Sequence, residues 1–440
     1  MCACLPRSCG ACPPITSNTH PAVKGVCNET LLIPQELDAG YSGPRGTGRL
    51  FQAGAHATFN QHEHAYGPLD AHTITSKLID SLTEAGLTGR GGAAFASWRK
   101  LAAIDQGRGT RRAIVIANGA EGEPLSFKDK TLLAHSPHLV LDGLLLVGRS
   151  VNATELYLYS NAVSMPSVQS AVVQRADAAR IKVIEAAATF ISGEASAVVQ
   201  AIGGGDAIPK DKRRRLSESG LKKRATLVLN VETLAHIALI ARFGAPWFTS
   251  VGSDDDPGTR LLSISGHAKE QVLEMSASAN VAEVLAAAAV EPSEVQGILV
   301  GGYHGRWIKP LNYRLASNGP TLSTVRPGAG VIHILGTGKC GLQATATIAR
   351  YLAHESAKQC GPCMFGLPAM VRTLSALADG ERDPRLSAEL ERLSALVAGR
   401  GACHHPDGFV QLISSALETF SDEVATHLSG QCLAISGRPA

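Results

Sequence analysis

The sequence predicts an α/β protein in three parts: a parallel sheet with helices, a small α+β module and a C-terminal bundle of four helices. Three observations indicate this order. Strand-like apolar runs alternate with helical patterns from about residue 70 to 250. A different pattern, of strand-like segments with one short helix, begins near Gly258, and helical spacing continues beyond Gly341. Alternating strands and helices are typical of parallel β-α-β units, so the first part should be Rossmann-like.

The first part contains short apolar runs that each lead into a helical pattern. The predicted strands are 113–118, 155–159, 182–186 and 226–230. Apolar side chains at three- and four-residue steps predict helices at 74–85, 138–150, 165–178 and 232–242.

The second and third parts differ from the first. Residues 260–267 alternate as a strand does, 281–289 have helical spacing, and 297–302 read as a strand ending in a glycine turn. Helices of the bundle are predicted at 343–356, 368–378, 385–397 and 408–428. We expect an irregular tail rich in cysteine and proline, then three domains, with boundaries at 1–40, 41–255, 256–335 and 336–440.

Composition limits the classes of function. The 440 residues are 45% hydrophobic and 18% charged, which suits a soluble multi-domain protein, and a net charge of +3 is too small to indicate nucleic-acid binding. The longest apolar stretch, 139–148, falls far short of the roughly 20 residues that span a bilayer. The N-terminus lacks the pattern of a secretory signal. We expect a cytoplasmic protein that does not itself cross a membrane.

Ten cysteines form two groups. Clustered cysteines in a reducing cytoplasm indicate metal or redox chemistry more often than disulfides. The first group, which we expect to belong to a disordered tail, comprises Cys2, Cys4, Cys9, Cys12 and Cys27. The second comprises Cys340, Cys360, Cys363, Cys403 and Cys432.

Two loops carry residues suited to an anionic ligand. The loop from Gly86 to Phe95 contains four glycines, and glycine lets backbone N–H groups approach an anion closely. The second loop, 118–124, follows a predicted strand and carries Glu121 and Glu123. Strand ends beside glycine loops are where open α/β sheets bind nucleotides. A glycine loop alone is equally typical of an ordinary tight turn.

With Cys360-Gly-Pro-Cys363 downstream, these segments resemble, in order, the flavoprotein (F) subunit of respiratory complex I and the related diaphorase subunits of hydrogenases and formate dehydrogenases. The resemblance covers about residues 74–428 and implies that the second domain is β-grasp-like. It rests on these segments: 86–95, 118–124, 127–130 with 137–139, 190–194, 230–234, 258–261 with 265–267, and the cysteine motif.

The resemblance implies that FMN and a pyridine nucleotide bind at the two loops. This sequence has counterparts for four features of the family's binding site. They are the backbone of the glycine loop, carboxylates that line flavin and nucleotide, an aromatic ring for adenine, and polar residues near the phosphate. From the residues alone, the alternative is helix caps and turns in an empty sheet. The implied cofactor-binding residues are Gly89, Arg90, Gly91, Gly92, Phe95, Lys100, Asn118, Glu121, Glu123, Gly193, Glu194, Asn230 and Thr233.

The chain departs from the family pattern at several of these places. Alanine or leucine replaces polar family residues at Ala120, Ala195 and Leu229. Ala103 and Arg215 stand where the family has aromatic rings, and each lost ring removes about 1 kcal/mol of stacking.

Two basic segments, 210–215 and 222–224, flank the loop expected over the nucleotide. One hypothesis is a preference for NADPH over NADH. Another is docking of an acidic electron carrier. The alternative to both is a solvated charged loop.

The cysteine motif implies an iron–sulfur cluster with one family ligand missing. Cys360, Cys363 and Cys403 match three cysteines, whereas Ala357 stands at the first position. Three thiolates suit a 3Fe-4S cluster, or a 4Fe-4S cluster with a relocated fourth ligand. We expect Cys340 as that ligand, ahead of the further candidates His404, His405 and Cys432. The alternatives are a zinc ion or thiols without a metal.

We therefore expect an NAD(P)H dehydrogenase-type oxidoreductase that passes electrons from NADH or NADPH through FMN to the cluster and on to a protein acceptor. No catalytic acid, base or nucleophile is required. The family's two-iron partner domain is not visible, so a divergent, stand-alone member is implied. Its acceptor would be a ferredoxin or a membrane-bound reductase, which could hold the chain at the inner face of a membrane. The alternatives are an FMN/iron–sulfur relay without nucleotide and a non-catalytic scaffold.

Overall fold

A computed structural model of the chain describes residues 45–46, 48–69, 77–106, 112–210, 214–310, 313–317, 321, 323–432 and 434. The predicted tail with its five cysteines lies outside the described residues. So do residues 74–76 of the first predicted helix and residues 211–213 of the first basic segment.

The strands are β1 (Arg45–Gly46), β2 (Ile114–Gly119), β3 (Glu155–Ser160), β4 (Ile181–Glu185), β5 (Thr226–Asn230), β6 (Gly252–Ser253), β7 (Asp256–Pro257), β8 (Thr259–Gly266), β9 (Gln271–Ser276), β10 (Val295–Val300), β11 (Arg306–Ile308), β12 (Arg314–Leu315), β13 (Thr324–Val325) and β14 (Val331–Gly336). The α-helices are α1 (Phe59–Tyr66), α2 (Leu78–Ala85), α3 (Ser97–Gln106), α4 (Lys128–His135), α5 (Pro137–Ser150), α6 (Met165–Val173), α7 (Ala195–Ile202), α8 (Val231–Thr249), α9 (Val281–Ala287), α10 (Gly341–His354), α11 (Leu367–Ala378), α12 (Leu386–Val397), α13 (His405–Thr419) and α14 (Ser421–Leu428).

The four predicted strands of the first part form one parallel sheet in the order β4-β3-β2-β5. Their apolar runs are buried between helices, as the sequence predicts for a parallel sheet. Helix α6 ends earlier than its pattern suggests, and α8 runs longer with a break at Gly244, whose φ is 82°. The predicted α/β class is confirmed.

A mixed six-stranded sheet follows, in the order β1-β9-β8-β14-β10-β11. Helix α9 packs with the apolar side chains of this sheet. Strand β1 pairs in parallel with β9, so residues that precede the first sheet in the chain belong to the second one. The expected division of the chain at residue 255 therefore does not separate the two sheets completely.

The C-terminal part is helical, but the predicted helix 408–428 is wrong as a single element. It is two helices, α13 and α14, which meet at Phe420. The ring of this residue is buried and lies 5.2 Å from the ring of Trp307. The helical spacing of apolar residues predicts one continuous helix. It does not show that the Phe420 ring packs against Trp307 of β11 at the point where the first helix ends.

Among the described residues, no single helix has the length and apolar character needed to cross a membrane. Helices α4 and α5 meet that test only as a pair, and they are bent by 95° from each other.

Candidate functional site

The candidate site lies at the carboxyl edge of the parallel sheet, between β2 and β5. From β2 the chain moves outward to β3 and β4 and then returns to place β5 on the other side of β2. Asn118 and Asn230 are paired across this reversal, at the ends of their strands. Such a topological switch point is where open α/β sheets bind ligands.

The glycine loop stands over the end of β5. Its base is closed by a bridge between Thr88 and Ala96 and by a hydrogen bond from the Gly89 N–H to the Phe95 carbonyl, 2.9 Å. At its tip Gly91 is exposed, and a Cβ added there would lie 3.0 Å from the Cβ of Asn230. A side chain at this position would fill the space above the strand end, so the glycine keeps that space available for a ligand.

Arg90 contributes to the loop in a different way from its neighbours. Its N–H donates to Thr233 Oγ1 at 2.9 Å, and its side chain is buried. The guanidinium donates to Thr88 Oγ1 and to the Pro257 carbonyl and pairs with Asp256 at 3.3 Å. The side chains of Arg90 and Thr233 therefore anchor the loop. The Gly89 N–H and the side chains of Arg90 and Thr233 are bonded within the protein, so the geometry does not favour direct contact between them and a ligand.

The loop after β2 is anchored by its own polar residues. Asn118 Nδ2 donates to the Gly193 carbonyl at 2.9 Å. Glu121 accepts hydrogen bonds from the N–H groups of Asp129 and Lys130, at 2.9 and 3.0 Å, and so caps the first turn of α4. A carboxylate at a helix N-terminus satisfies donors that have no partner inside the helix.

Glu123 connects this loop to the six-stranded sheet. Its Oε2 accepts a hydrogen bond of 2.7 Å from the N–H of Tyr303, in the turn after β10. Burial raises the pKa of Glu123 to about 7, although hydrogen bonds from the N–H groups of Tyr303 and Leu125 act to lower it. Its carboxyl group therefore titrates near neutral pH.

The segment 189–194 packs against the same loop, backbone to backbone. A Cβ added to Gly122 would lie 2.3 Å from the carbonyl oxygen of Phe190, and one added to Gly193 would lie 2.9 Å from that of Ala120. Glu194 caps α7, accepting from the Ser196 N–H at 2.7 Å. Glycine is needed at both positions because no side chain fits between the segments.

Asn230 caps the third helix at this edge. Its Oδ1 accepts from the Glu232 N–H at 3.0 Å, and its Nδ2 donates to Asp129 Oδ2 at 2.6 Å. Glu121, Glu194 and Asn230, three of the predicted site residues, therefore each cap a helix. Through these hydrogen bonds to the backbone, the three residues position the loops around the strand ends.

The sequence did not single out the ion pairs beneath Asn230. Lys128 is buried, with its Nζ 2.7 Å from Asp129 Oδ1 and 2.9 Å from Glu232 Oε2. Burial lowers the pKa of Lys128, but the two carboxylates raise it more, so the ammonium group stays charged. Segment 127–130 is one of the segments that resemble the family. The contact between Lys128 and Glu232, however, follows only from the order of the strands in the sheet.

Two predicted residues remain available to a ligand. Lys100 is half-buried on α3 with its Nζ 3.4 Å from the Val228 carbonyl in β5, and burial lowers the pKa of its ammonium group. The ring of Phe95 is 47% exposed at the end of the glycine loop. A cation and an exposed aromatic ring at a nucleotide-binding edge suit a phosphate and an adenine.

The basic residues do not all lie beside the nucleotide, which corrects the expectation that both segments flank it. Lys222 and Arg224 pair with Glu155 at 2.7 Å, at the amino end of β3. The Leu216 carbonyl, directly after Arg215, accepts from the Thr226 N–H at the amino end of β5. The Lys210 N–H instead donates to Ser196 Oγ at 2.9 Å, beside the N-terminus of α7, so Lys210 lies near the carboxyl edge.

Three of the predicted cluster cysteines come together. Burial, together with the neighbouring thiols of Cys360 and Cys403, raises the pKa of Cys363 to about 12. The N–H groups of Cys363 and Ala402 lower the pKa of Cys360 although burial acts to raise it. A π-helical turn, Pro362–Gly366, carries Cys363. Converging thiols with N–H donors suit an iron–sulfur cluster.

Cys340 is wrong as the fourth ligand of this group. It begins α10, whose 14 residues separate it from the cysteine motif by about 20 Å. Cys432 lies with Cys340, because their sulfur atoms and the Nε2 of His427 are all within 4.8 Å of one another. His405 is also committed elsewhere: its Nε2 bonds to the Leu352 carbonyl at 2.9 Å.

A group of aromatic side chains joins the sheet edge to the helices. The Phe190 ring lies 4.7 Å from His304, 5.7 Å from His405 and 6.0 Å from Tyr351, and 6.4 Å from Tyr303. Burial lowers the pKa of His304 to about 3 and also lowers that of His405, so both rings are neutral at pH 7. The ring of Phe190 therefore packs inside this group.

The Phe190 N–H also donates to Glu355 Oε2 at 3.2 Å. Glu355 follows α10 and leads into the cysteine motif. A hydrogen bond therefore joins the loops at the strand ends to the segment that leads into the cysteine motif.

Comparison with known proteins agrees with this arrangement. A family model described as the Nuo51 FMN-binding domain matches residues 82–239, which hold the glycine loop and the parallel sheet. A model described as the NADH-ubiquinone oxidoreductase-F iron-sulfur binding region matches residues 343–427, which hold the three converging cysteines. The chain belongs to the family of the F subunit of NADH-quinone oxidoreductase. The family predicted from the sequence is confirmed, with an FMN-binding and an iron–sulfur-binding region in one chain.

Relatives in this family match most of their length. The F 2 subunit of NADH-quinone oxidoreductase from Rhizobium meliloti is 25% identical over 375 residues, 80% of this chain and 89% of that protein. The corresponding F subunit of Escherichia coli is 26% identical over 375 residues, 79% of this chain and 83% of that protein.

Solved structures share the fold. An NAD+-reducing [NiFe]-hydrogenase in the H2-reduced state matches with a TM-score of 0.74 at 24% identity, covering 81% of this chain and 63% of that one. In the air-oxidised state the TM-score is 0.74 at 23% identity, covering 84% of this chain and 69% of that one. At this identity the likeness concerns the fold.

Proposed function

We propose that this chain is an NADH dehydrogenase-type oxidoreductase that takes electrons from NADH through FMN to an iron–sulfur cluster and passes them to a protein acceptor. The observation that carries the proposal is the presence, in one chain, of an FMN-binding region and an iron–sulfur-binding region that direct contacts connect. FMN, when bound, accepts two electrons together and releases them one at a time, which suits a carrier between a nucleotide and a cluster.

The chain's own residues position the flavin. The exposed backbone of Gly91 and Gly92 faces the space above β5, and Lys100 supplies a cation from α3. Glu121, Glu194 and Asn230 hold the surrounding loops through their caps on three helices. Most of the binding geometry is therefore formed when the protein folds, which reduces the ordering required when a ligand binds.

For the nucleotide, Phe95 offers an exposed ring against which adenine can stack. The exposed cation Lys210 lies beyond α7, beside the carboxyl edge. Its charge favours a nucleotide with an additional phosphate, so use of NADPH beside NADH belongs to the proposal. The paired cations at the amino edge take no part in it.

For the cluster, Cys360, Cys363 and Cys403 are the proposed ligands. Soft thiolates hold iron against competing oxygen ligands. Ala357 cannot supply a fourth thiolate, and Ser356 beside it is hydrogen-bonded to Cys363. We propose that the cluster has three cysteine ligands and that its acceptor is a separate protein, a ferredoxin or a membrane-bound reductase.

An anaerobic visible spectrum of the freshly purified chain tests the function, recorded before and after addition of NADH and then of NADPH. We expect flavin bands over an iron–sulfur shoulder, and we expect NADH to bleach the flavin bands. Cofactor absorption that neither nucleotide changes would overturn the dehydrogenase and leave a relay fed by another protein. A colourless protein that takes up neither FMN nor iron on reconstitution would leave a scaffold.

A further inference from the structure

A second group of metal-ligating side chains lies at the far end of α10 from the cysteine motif. It consists of Cys340, which caps α10, His427 near the end of α14, and Cys432 just beyond it. Their Sγ, Nε2 and Sγ atoms are all within 4.8 Å of one another. None of the three side chains contributes to the flavin site or to the three converging thiols described above.

The histidine of this group is oriented as metal-binding histidines are. Its Nδ1 lies 3.2 Å from the carbonyl oxygen of Leu377, which can only accept a hydrogen bond, so Nδ1 carries the proton. In this tautomer Nε2 presents a lone pair, and it lies 3.4 Å from Cys340 Sγ. A backbone carbonyl that fixes the second ring nitrogen is the usual outer partner of a metal-bound histidine.

The spacing of the ligand atoms suits a zinc ion. In a tetrahedral site with ordinary Zn–S and Zn–N bonds, a sulfur and a nitrogen ligand are about 3.6 Å apart and two sulfur ligands about 3.8 Å apart. The 3.4 Å between Cys340 and His427 is close to the first value, and the limit of 4.8 Å for the whole group contains both. Only small movements of side chains separate the group from a coordinating geometry.

The surroundings of the group also suit a cation. The carboxylate of Glu423 lies beside Cys340, and a bound cation stabilises cysteine thiolates. Glu423 is held in place by the protein, accepting from the Gly341 N–H at 2.7 Å and from Gln296 Nε2 at 2.8 Å.

We propose that Cys340, His427 and Cys432 form a zinc site that is separate from the iron–sulfur cluster. The site joins the start of α10, the end of α14 and the segment that follows it, three parts of the chain that are distant in sequence. Two thiolates and an imidazole are a ligand set that zinc prefers, and zinc undergoes no redox change. Bound there, zinc would hold the helices together at the end opposite the cysteine motif.

The test measures zinc and iron together in the full chain, purified anaerobically and equilibrated with about one equivalent of zinc. We expect Cys432→Ser to lose zinc and keep its iron, and Cys363→Ser to lose iron and keep its zinc. Cys432→His, which restores a ligand, should retain zinc. A chelator should lower the melting temperature of the wild type and of Cys363→Ser but not that of Cys432→Ser.

Three results would overturn the proposal. One is a wild-type chain that retains no zinc after equilibration. Another is a zinc content that Cys432→Ser leaves unchanged. The third is a Cys340–Cys432 disulfide found by non-reducing peptide mapping of the anaerobically purified wild type. Cobalt substitution gives an independent measurement, since a thiolate-to-cobalt absorption band must appear in the wild type and weaken in Cys432→Ser.

Discussion

Single residues around the end of β5 act mainly on the backbone of the protein. Glu121, Glu194 and Asn230 each accept hydrogen bonds, through side-chain oxygens, from backbone N–H groups at the start of a helix. Such caps are each worth about 1 kcal/mol, and here they also fix the loops that would surround a flavin. Substitution of these residues should therefore change flavin binding through loop position.

Gly122 has the tightest surroundings of the loop after β2. In Gly122→Ala the new Cβ would lie 2.3 Å from the Phe190 carbonyl oxygen and 2.7 Å from that of Thr189, and backbone atoms cannot move away cheaply. We expect loss of bound FMN and a free energy of unfolding lower by about 1–3 kcal/mol. Flavin absorbance per chain and denaturant unfolding measure the two effects.

Gly205→Ala is the matched control, because its Cβ would make only an ordinary contact, 3.6 Å from the Gln200 carbonyl oxygen. It should keep its FMN and its stability. Full flavin content and an unchanged unfolding midpoint in Gly122→Ala would contradict the close packing of the two loops.

Glu123 should make stability depend on pH near neutrality. Its pKa of about 7 in the folded protein exceeds the ordinary value of 4.5, so folding favours the protonated form. The stabilisation is complete below about pH 4.5 and is lost as the pH rises through 7. We expect the free energy of unfolding of the wild type to fall between pH 5 and pH 8 by up to about 3 kcal/mol more than that of Glu123→Gln.

Denaturant unfolding of both proteins at the two pH values measures this difference. Glu218→Gln, which changes an exposed carboxylate, serves as the control and should follow the wild type. Parallel pH profiles for the wild type and Glu123→Gln would contradict the buried, titrating carboxyl group.

At the scale of elements, the edge of the sheet at which a segment lies decides what it can contact. Lys222 pairs with Glu155 at the amino edge, whereas Lys210 is exposed beside the start of α7. We expect Lys210→Ala to raise the KM for NADPH by about two- to threefold, since one exposed charge contributes little. Lys222→Ala should leave this KM unchanged.

Steady-state reduction of an artificial acceptor, with NADPH and with NADH, measures these constants. The effect of Lys210→Ala should be smaller with NADH, which lacks the additional phosphate. Equal changes in Lys222→Ala and in Lys210→Ala would show that general charge, and not position, determines nucleotide affinity.

Much of the element structure could be predicted because the patterns are local. The four strands of the parallel sheet and most of the helices follow from the spacing of apolar residues. Strand order is not local, so neither the meeting of Lys128 with Glu232 nor the placement of Lys222 at the amino edge could be derived. The sequence also contains a reason against Cys340 as the fourth cluster ligand, since the predicted helix 343–356 is long enough to separate Cys340 from Cys360.

At the scale of the whole molecule, the two cofactor regions occupy different parts of the chain, 82–239 and 343–427. We therefore expect Cys363→Ser to lose its iron but to keep an FMN that NADH reduces. Reduction of a small artificial acceptor by the flavin should continue, while transfer to a protein acceptor should stop. Iron content, the flavin spectrum and the two activities are the measurements.

Cys432→Ser provides the comparison, since its sulfur lies with Cys340 and not with the three converging thiols. It should keep both iron and protein-acceptor activity. If Cys363→Ser lost its flavin as well, the two regions would depend on each other for folding, and the separation of their roles would be wrong.

The glycine loop has a consequence for the thermodynamics of ligand binding. Its backbone is held at Phe95, at Thr233 and near Gly328, where a Cβ added to Gly92 would lie 3.7 Å from the carbonyl carbon. The loop therefore loses its conformational entropy when the chain folds and not when the flavin arrives. Amide hydrogen exchange at Gly89 and Arg90, whose N–H groups are bonded within the protein, should consequently be slow already in the flavin-free protein, and flavin should slow it only slightly further.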